Sequence, residues 1–231
     1  MKEKMNFKDK KILIIGAGIS GIAAYDLLRK LEAKPTLYDA NANLDPETVG
    51  AKTMDGVNAS LLFGEISDEV LGDYEMLVAS PGVPVDTGLP KKFYEAGKSV
   101  LGEIELAYQA GAGNIIAITG TNGKTTTTAL VGEITEKYYG KSFVVGNIGI
   151  PYTKVAPETK EDSVIVAEIS SFQLETAIDF RPHVSAVLNV TPDHLYRDIT
   201  KTLMVGYTIN TRKRRNAGAV HQKRKLFDIF I

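Results

Sequence analysis

The stretch Gly120-Thr121-Asn122-Gly123-Lys124-Thr125-Thr126 constrains this chain more than any other. An apolar run, Ile115 to Thr119, leads into it, and a helix-forming segment, Lys124 to about Tyr139, leads out. A glycine-rich turn between strand and helix aims successive backbone N–H groups at a phosphate, and the helix N-terminus adds a favourable dipole. Lys124 is placed to reach the terminal phosphates and Thr125 to put a hydroxyl on Mg²⁺. The motif therefore predicts an ATP site in an α/β domain. It is shorter than the full phosphate-loop pattern, which leaves a solvent-facing Gly/Thr-rich turn as the plainer reading.

A second glycine-rich turn lies upstream. Lys11 to Ile15 reads as a strand, Gly16-Ala17-Gly18-Ile19-Ser20-Gly21 follows, and a helical pattern runs through Lys30. Thr36-Leu37-Tyr38 reads as the next strand and ends at Asp39. This is the βαβ layout of dinucleotide-type folds. Gly18 lets a phosphate approach the backbone, Gly21 lets helix and strand pack closely, and Asp39 is an acid at ribose distance. NAD, FAD and a nucleotide-sugar fit these residues about equally. Met76 to Ala79 is a further strand, stopped by Ser80-Pro81-Gly82-Val83-Pro84. Lys98 to Leu101 is another, followed by a helix over about Glu103 to Ala110. Glu103 and Glu105 are expected as surface or cap residues. Gly111-Ala112-Gly113-Asn114 reads as a linker.

Beyond the phosphate loop, Phe143 to Val145 leads to Gly146-Asn147-Ile148-Gly149. Ser163 to Ala167 reads as a buried parallel strand ending at Glu168, where a carboxylate near a phosphate loop suits a Mg²⁺ ligand. Ser170-Ser171-Phe172-Gln173-Leu174 turns the chain, with Phe172 and Leu174 expected in the core. Val184 to Val190 is a last strand, and Asp193 and His194 follow it onto the same expected edge.

The composition narrows the classes. The sequence has no cysteine, so disulfides and thiolate metal sites are excluded. No apolar run approaches the ~18 residues of a membrane span. The charged N-terminus leads directly into a strand and is not read as a signal peptide, so a cytoplasmic location is expected. Charge is split along the chain. Residues 1–196 carry 18 Lys/Arg against 26 Asp/Glu, whereas residues 197–231 carry 9 against 2. Such a split marks an anion-binding arm, a short structural tail or a segment foreign to the fold.

Six blocks, in order, resemble the peptidoglycan amino-acid ligases, the Mur ligase family. They are the Gly16–Gly21 turn, Ala79-Ser80-Pro81-Gly82-Val83-Pro84, the Gly120–Thr126 loop, Gly146-Asn147-Ile148-Gly149, Glu168-Ile169-Ser170-Ser171-Phe172-Gln173-Leu174, and Asn189-Val190-Thr191-Pro192-Asp193-His194-Leu195. Within the family they look most like the branch that joins D-glutamate to UDP-N-acetylmuramoyl-L-alanine. The resemblance implies a Rossmann-like parallel-sheet domain over residues 1–110 that binds the UDP precursor. A partial ATP-binding central domain would span 115–197, and 198–231 would be an atypical basic tail. Gly18, Ile19, Ser20 and Gly21 would meet the diphosphate and Asp39 the uridine end. Ser80, Pro81 and Gly82 would shape that pocket, Asn147 would contact the precursor, and Gln173 would stand near the acceptor. Gly120, Thr121, Asn122, Gly123, Lys124, Thr125 and Thr126 would hold ATP, with Asn189 and Asp193 supporting them. Thr125, Glu168 and His194 would hold Mg²⁺, and Lys124, Glu168 and His194 would carry the catalysis. The implied chemistry is ATP-driven amide formation through an acyl phosphate, in a monomer without nucleic-acid or membrane partners.

The pattern departs after His194. The family places a lysine, carbamylated to help hold Mg²⁺, about fifteen residues further on. Here that place, near Ile209, has none; Lys201 and Lys213 are the nearest. A truncated or frame-shifted end is expected, with little or no turnover. Three rivals remain open: a sibling ligase adding L-alanine, a non-catalytic nucleotide-sugar-binding module, and a dehydrogenase. The last leaves the second loop and Glu168 unexplained.

Overall fold

A computed structural model describes residues 4–147 and 149–189. Asp193, His194 and the tail over 198–231 lie outside them. The described residues divide into two compact units.

The first unit is built on the strands β1 (Lys11–Ile15), β2 (Lys34–Asp39), β3 (Leu61–Phe63), β4 (Met76–Ala79) and β5 (Ser99–Gly102). Every pairing is parallel, in the order β3-β2-β1-β4-β5. The helices between them are α1 (Ile19–Lys30), α2 (Pro46–Gly50), α3 (Asp68–Gly72), α4 (Gly88–Glu95) and α5 (Glu103–Ala110). β1 and β4 are buried almost throughout because a parallel sheet is covered on both faces. On one face Leu13, Leu77, Phe93 and Val100 form the core. The chain runs outward from β1 to β3 on one side and from β4 to β5 on the other. The turns after β1 and β4 therefore flank a switch point, where open α/β sheets bind ligands. Gly21 is required here by close approach: a Cβ on it would lie 1.7 Å from the Gly16 carbonyl oxygen.

The second unit carries β6 (Asn114–Thr119), α6 (Lys124–Tyr139), β7 (Ser142–Gly146), β8 (Val164–Glu168), α8 (Ser171–Glu175) and β9 (Val184–Val187), with α7 (Tyr152–Val155) lying between β7 and β8 in sequence. The sheet order is β7-β8-β6-β9, again parallel throughout. All four strand ends that follow the chain direction thus emerge on one edge. β8 is buried along its whole length, Glu168 included. Gly140 ends α6 in the left-handed conformation, its N–H donating to the Glu136 carbonyl at 2.8 Å.

The chain does not divide at a single point. Residues Pro151–Glu158, which include α7, and Thr176–Ile178 return to the first unit. The expected division near residues 110–115 makes no provision for these returns. They are held by the two glutamates expected at the surface. Glu103 is 2% exposed, and its Oε1 accepts the Thr153 N–H at 2.7 Å and the Thr153 hydroxyl at 3.0 Å. Glu105 is 1% exposed and accepts the Ile178 N–H at 2.8 Å and the Gln109 amide at 2.8 Å. The correction has a simple cause: buried main-chain N–H groups of the returning segments need acceptors, and α5 supplies them. Beside Glu103, burial and then the glutamate's charge push the Tyr152 phenol well above its usual pKa. Among the described residues, no helix is long and apolar enough to cross a membrane.

Replacing Glu103 by Ala is expected to lower the unfolding free energy by about 2–4 kcal/mol, since it strands a buried N–H and hydroxyl. Glu103→Gln keeps the acceptor and is expected to cost much less. Urea unfolding of both variants checks this; equal losses would rule out the acceptor role.

Candidate functional site

In the second unit the phosphate loop connects β6 to α6. Gly120 has φ +146° and sits against Asn189, whose backbone N and O would lie 3.1 Å from an added Cβ. Gly123 caps α6 at φ +81°. The Lys124 ammonium folds over the loop and donates to the carbonyls of Gly120 at 2.7 Å and Thr121 at 3.0 Å. Thr126 is exposed one residue beyond Thr125.

Glu168, 1% exposed, ends the adjacent strand β8. Its Oε2 accepts the Thr125 hydroxyl at 3.0 Å, and its Oε1 accepts the Asn147 side-chain amide at 3.1 Å. The Asn147 N–H donates to the Glu168 carbonyl at 2.9 Å. Three residues expected from separate blocks are thereby brought together. Among the described residues the side-chain oxygens of this buried carboxylate meet a hydroxyl and an amide, a setting that suits a cation. Hard oxygen donors from Thr125 and Glu168 fit Mg²⁺, which keeps several waters and takes one or two protein ligands beside substrate phosphates. Among the described residues, no group of three His, Cys, Asp or Glu stands ready to enclose a metal.

Asn189 follows β9 on the other side of β6. Its carbonyl accepts the Thr121 N–H at 3.1 Å. Its side-chain oxygen accepts the Asn122 N–H at 2.8 Å, and its amide donates to the Asn122 carbonyl at 2.9 Å. Gln173 is turned inward, 4% exposed, with Oε1 accepting the Ser170 N–H at 2.9 Å and hydroxyl at 3.0 Å. It closes the turn that leads into α8.

In the first unit the glycine turn opens α1, with Gly18 as N-cap and open space around its Cα. Ile19 is 76% exposed beside it, while Ser20 is half-buried. Asp39 is tied to the turn: its Oδ2 accepts the Ala17 N–H at 2.9 Å and its Oδ1 the Asn41 N–H at 3.0 Å. From β4, the Ser80 N–H donates to the Ile15 carbonyl at 3.1 Å, and the Ser80 hydroxyl is buried without a hydrogen-bond partner among the described residues. Pro81 and Gly82 are exposed beyond it. Sequence reasoning missed the tie from Asp39 to Ala17 and the reciprocal pairing of Asn189 with Asn122. Neither leaves a spacing signal, because both join main chain to the end of a neighbouring strand.

Comparison with known proteins identifies the family of this chain. Residues 10–102 match the N-terminal domain of the MurD-like Mur ligases, and residues 118–203 match the Mur ligase middle domain. A UDP-N-acetylmuramoylalanine--D-glutamate ligase of Lachnospira eligens is 54% identical over 196 residues, covering 85% of this chain and 43% of the relative. The enzyme of the same name from Lachnoclostridium phytofermentans is 49% identical over 209 residues, covering 90% and 46%. The chain thus spans a little under half the length of these curated relatives. Among solved structures, UDP-N-acetylmuramate:L-alanyl-gamma-D-glutamyl-meso-diaminopimelate ligase from Neisseria meningitides shares the fold with a TM-score of 0.55 at 15% identity, over 87% of this chain and 67% of that one. UDP-N-acetylmuramate-alanine ligase from Thermotoga maritima does so with a TM-score of 0.51 at 18% identity, over 87% and 47%. The two domain matches together span most of the chain, and the relatives agree with them: the chain belongs to the Mur ligase family.

Proposed function

We propose that this chain carries the precursor-binding and ATP-binding parts of a ligase that joins D-glutamate to UDP-N-acetylmuramoyl-L-alanine. The observation that carries the reading is the convergence of Thr125, Asn147 and Glu168 beside the Lys124 loop. The relatives' activity supplies the substrates.

A carboxylate is a poor electrophile. Transfer of the ATP γ-phosphoryl to a carboxylate oxygen forms an acyl phosphate and releases ADP. The D-glutamate amine, once it has lost its proton, attacks the acyl carbon. The carbon–oxygen bond to phosphate then breaks, and phosphate leaves with the electron pair. Lys124 neutralises charge on the phosphates during the first step, and the loop N–H groups orient them. Thr125 and Glu168 would hold Mg²⁺, which when bound offsets the same charge as a Lewis acid. His194 and Asp193 would complete that region. In the first unit, the open N-terminus of α1 at Gly18 to Gly21 suits the precursor's diphosphate. Exposed Ile19 offers the uracil an apolar surface, and Ser80, with Pro81 and Gly82, borders the pocket. Asp39 acts on the uridine end through the turn it holds, and Asn147 and Gln173 serve the precursor side. The place near Ile209 lacks the family's lysine, so turnover by this chain is expected to be small or absent.

Titration calorimetry is expected to show binding of UDP-N-acetylmuramoyl-L-alanine and of ATP with Mg²⁺, but not of NADH. Binding of NADH alone would overturn the reading. Phosphate release in the presence of D-glutamate is expected to stay at background, and robust release would refute the expected inactivity.

Lys124→Ala is expected to weaken ATP binding about 10- to 100-fold by removing charge-assisted hydrogen bonds, and to leave precursor binding unchanged. Glu168→Gln is expected to abolish the Mg²⁺ dependence of ATP affinity. A magnesium titration of the variant that matched the wild type would remove Glu168 from the metal site.

A further inference from the structure

Asn189 holds the tip of the phosphate loop from the end of a neighbouring strand. Asn189 makes three hydrogen bonds to it: a reciprocal side-chain pair with the main chain of Asn122, and a carbonyl contact to the Thr121 N–H. The reciprocal pair imitates one rung of a sheet ladder, using a side chain in place of a strand. It satisfies both main-chain groups of an exposed residue at the tip of a glycine-rich turn. Glycines on both sides of that tip, at φ +146° and +81°, give the segment freedom it would otherwise use. Gly120 packs closely on Asn189, whose backbone N and O would lie 3.1 Å from an added Cβ.

We propose that Asn189 is the positioning residue of the phosphate loop, fixing Thr121 and Asn122 in the nucleotide-ready form before any ligand arrives. The proposal deepens the ATP reading and rests on it only for its consequence in binding. The clamp itself is a property of the ligand-free chain. An asparagine is needed because the pair requires one donor and one acceptor on the same planar group. Aspartate keeps the acceptor for the Asn122 N–H but turns a second oxygen toward the Asn122 carbonyl, and it adds negative charge beside a phosphate site. Leucine keeps the volume and loses both bonds. Pre-ordering also bears on affinity, since a loop ordered beforehand spares the ligand the entropy of ordering it.

Hydrogen exchange with mass spectrometry on the full ligand-free chain tests this. In Asn189→Leu and Asn189→Ala, amides of a peptide spanning 118–123 are expected to exchange at least tenfold faster. Protection of β8 and of α6 beyond Thr127 is expected to stay at wild-type level. Asn189→Asp is expected to loosen the loop less than leucine but to weaken ATP binding as much or more, because of its charge. Titration with ATP and Mg²⁺ is expected to show about tenfold weaker binding by Asn189→Leu. Unchanged loop exchange in the leucine and alanine variants overturns the proposal, as does loss of protection throughout the second unit in both. A wild-type chain that binds no ATP but shows the loop-limited exchange change sinks the nucleotide reading and leaves the clamp standing.

Discussion

A carboxylate at the end of a strand buried on both faces is the constraint around which the second unit is arranged. Glu168 cannot be left in a dry sheet edge without partners, because an unpaired buried charge costs several kcal/mol. The strands beside β8 answer this from two sides. β7 ends in Gly146 and presents Asn147, while β6 ends in the loop that presents Thr125. Each places one donor on one oxygen of the carboxylate. Parallel pairing makes this possible, since it brings all the strand ends to one edge and lets loops distant in sequence meet there. Both partners are neutral donors, so among the described residues the carboxylate is hydrogen-bonded on each oxygen without a cation beside it.

The first unit depends on a different kind of burial. Its sheet is assembled by residues before Gly111, yet part of its packing arrives later in the chain. Glu103 and Glu105 lie on a helix whose other residues, Ile104, Leu106 and Ala107, are also buried. A helix enclosed on all sides turns its glutamates from surface charges into acceptors for incoming main chain. Residues 4–111 are therefore not the whole of the unit, and the returning segments are part of its stability.

The elements around both loops were legible because their signals are local. The apolar runs Ile12 to Ile15 and Val164 to Ala167, each followed by a polar or glycine-rich turn, read as strands of a sheet covered on both faces. Glycine turns before Ile19 and Lys124 mark where helices begin. The stretch between Asp39 and Met76 was less readable. Its strand is only Leu61–Phe63, and its helices α2 and α3 are five residues each, too short for periodicity to register. Glu103 was misread for a related reason. A sequence shows that an acid begins a helix, which favours the dipole, but not that another segment will come back to cover it. The contacts of Asp39 and Asn189 were equally hidden, since each depends on which strands become neighbours.

Those two residues point to one device used with different chemistry. In each unit the loop after a central strand is held by a side chain at the end of the strand next to it: Asp39 after β2 holds the turn after β1, and Asn189 after β9 holds the loop after β6. Both accept a main-chain N–H from the loop. The difference is charge. Asp39 brings a carboxylate, an acceptor on both oxygens, to the turn after β1. Asn189 brings a neutral amide, with no negative charge, to the loop after β6. It also gives back a donor to the Asn122 carbonyl, which aspartate cannot do. The two glycine loops look alike in sequence, and they are held by different side chains: a carboxylate for the turn after β1 and an amide for the loop after β6.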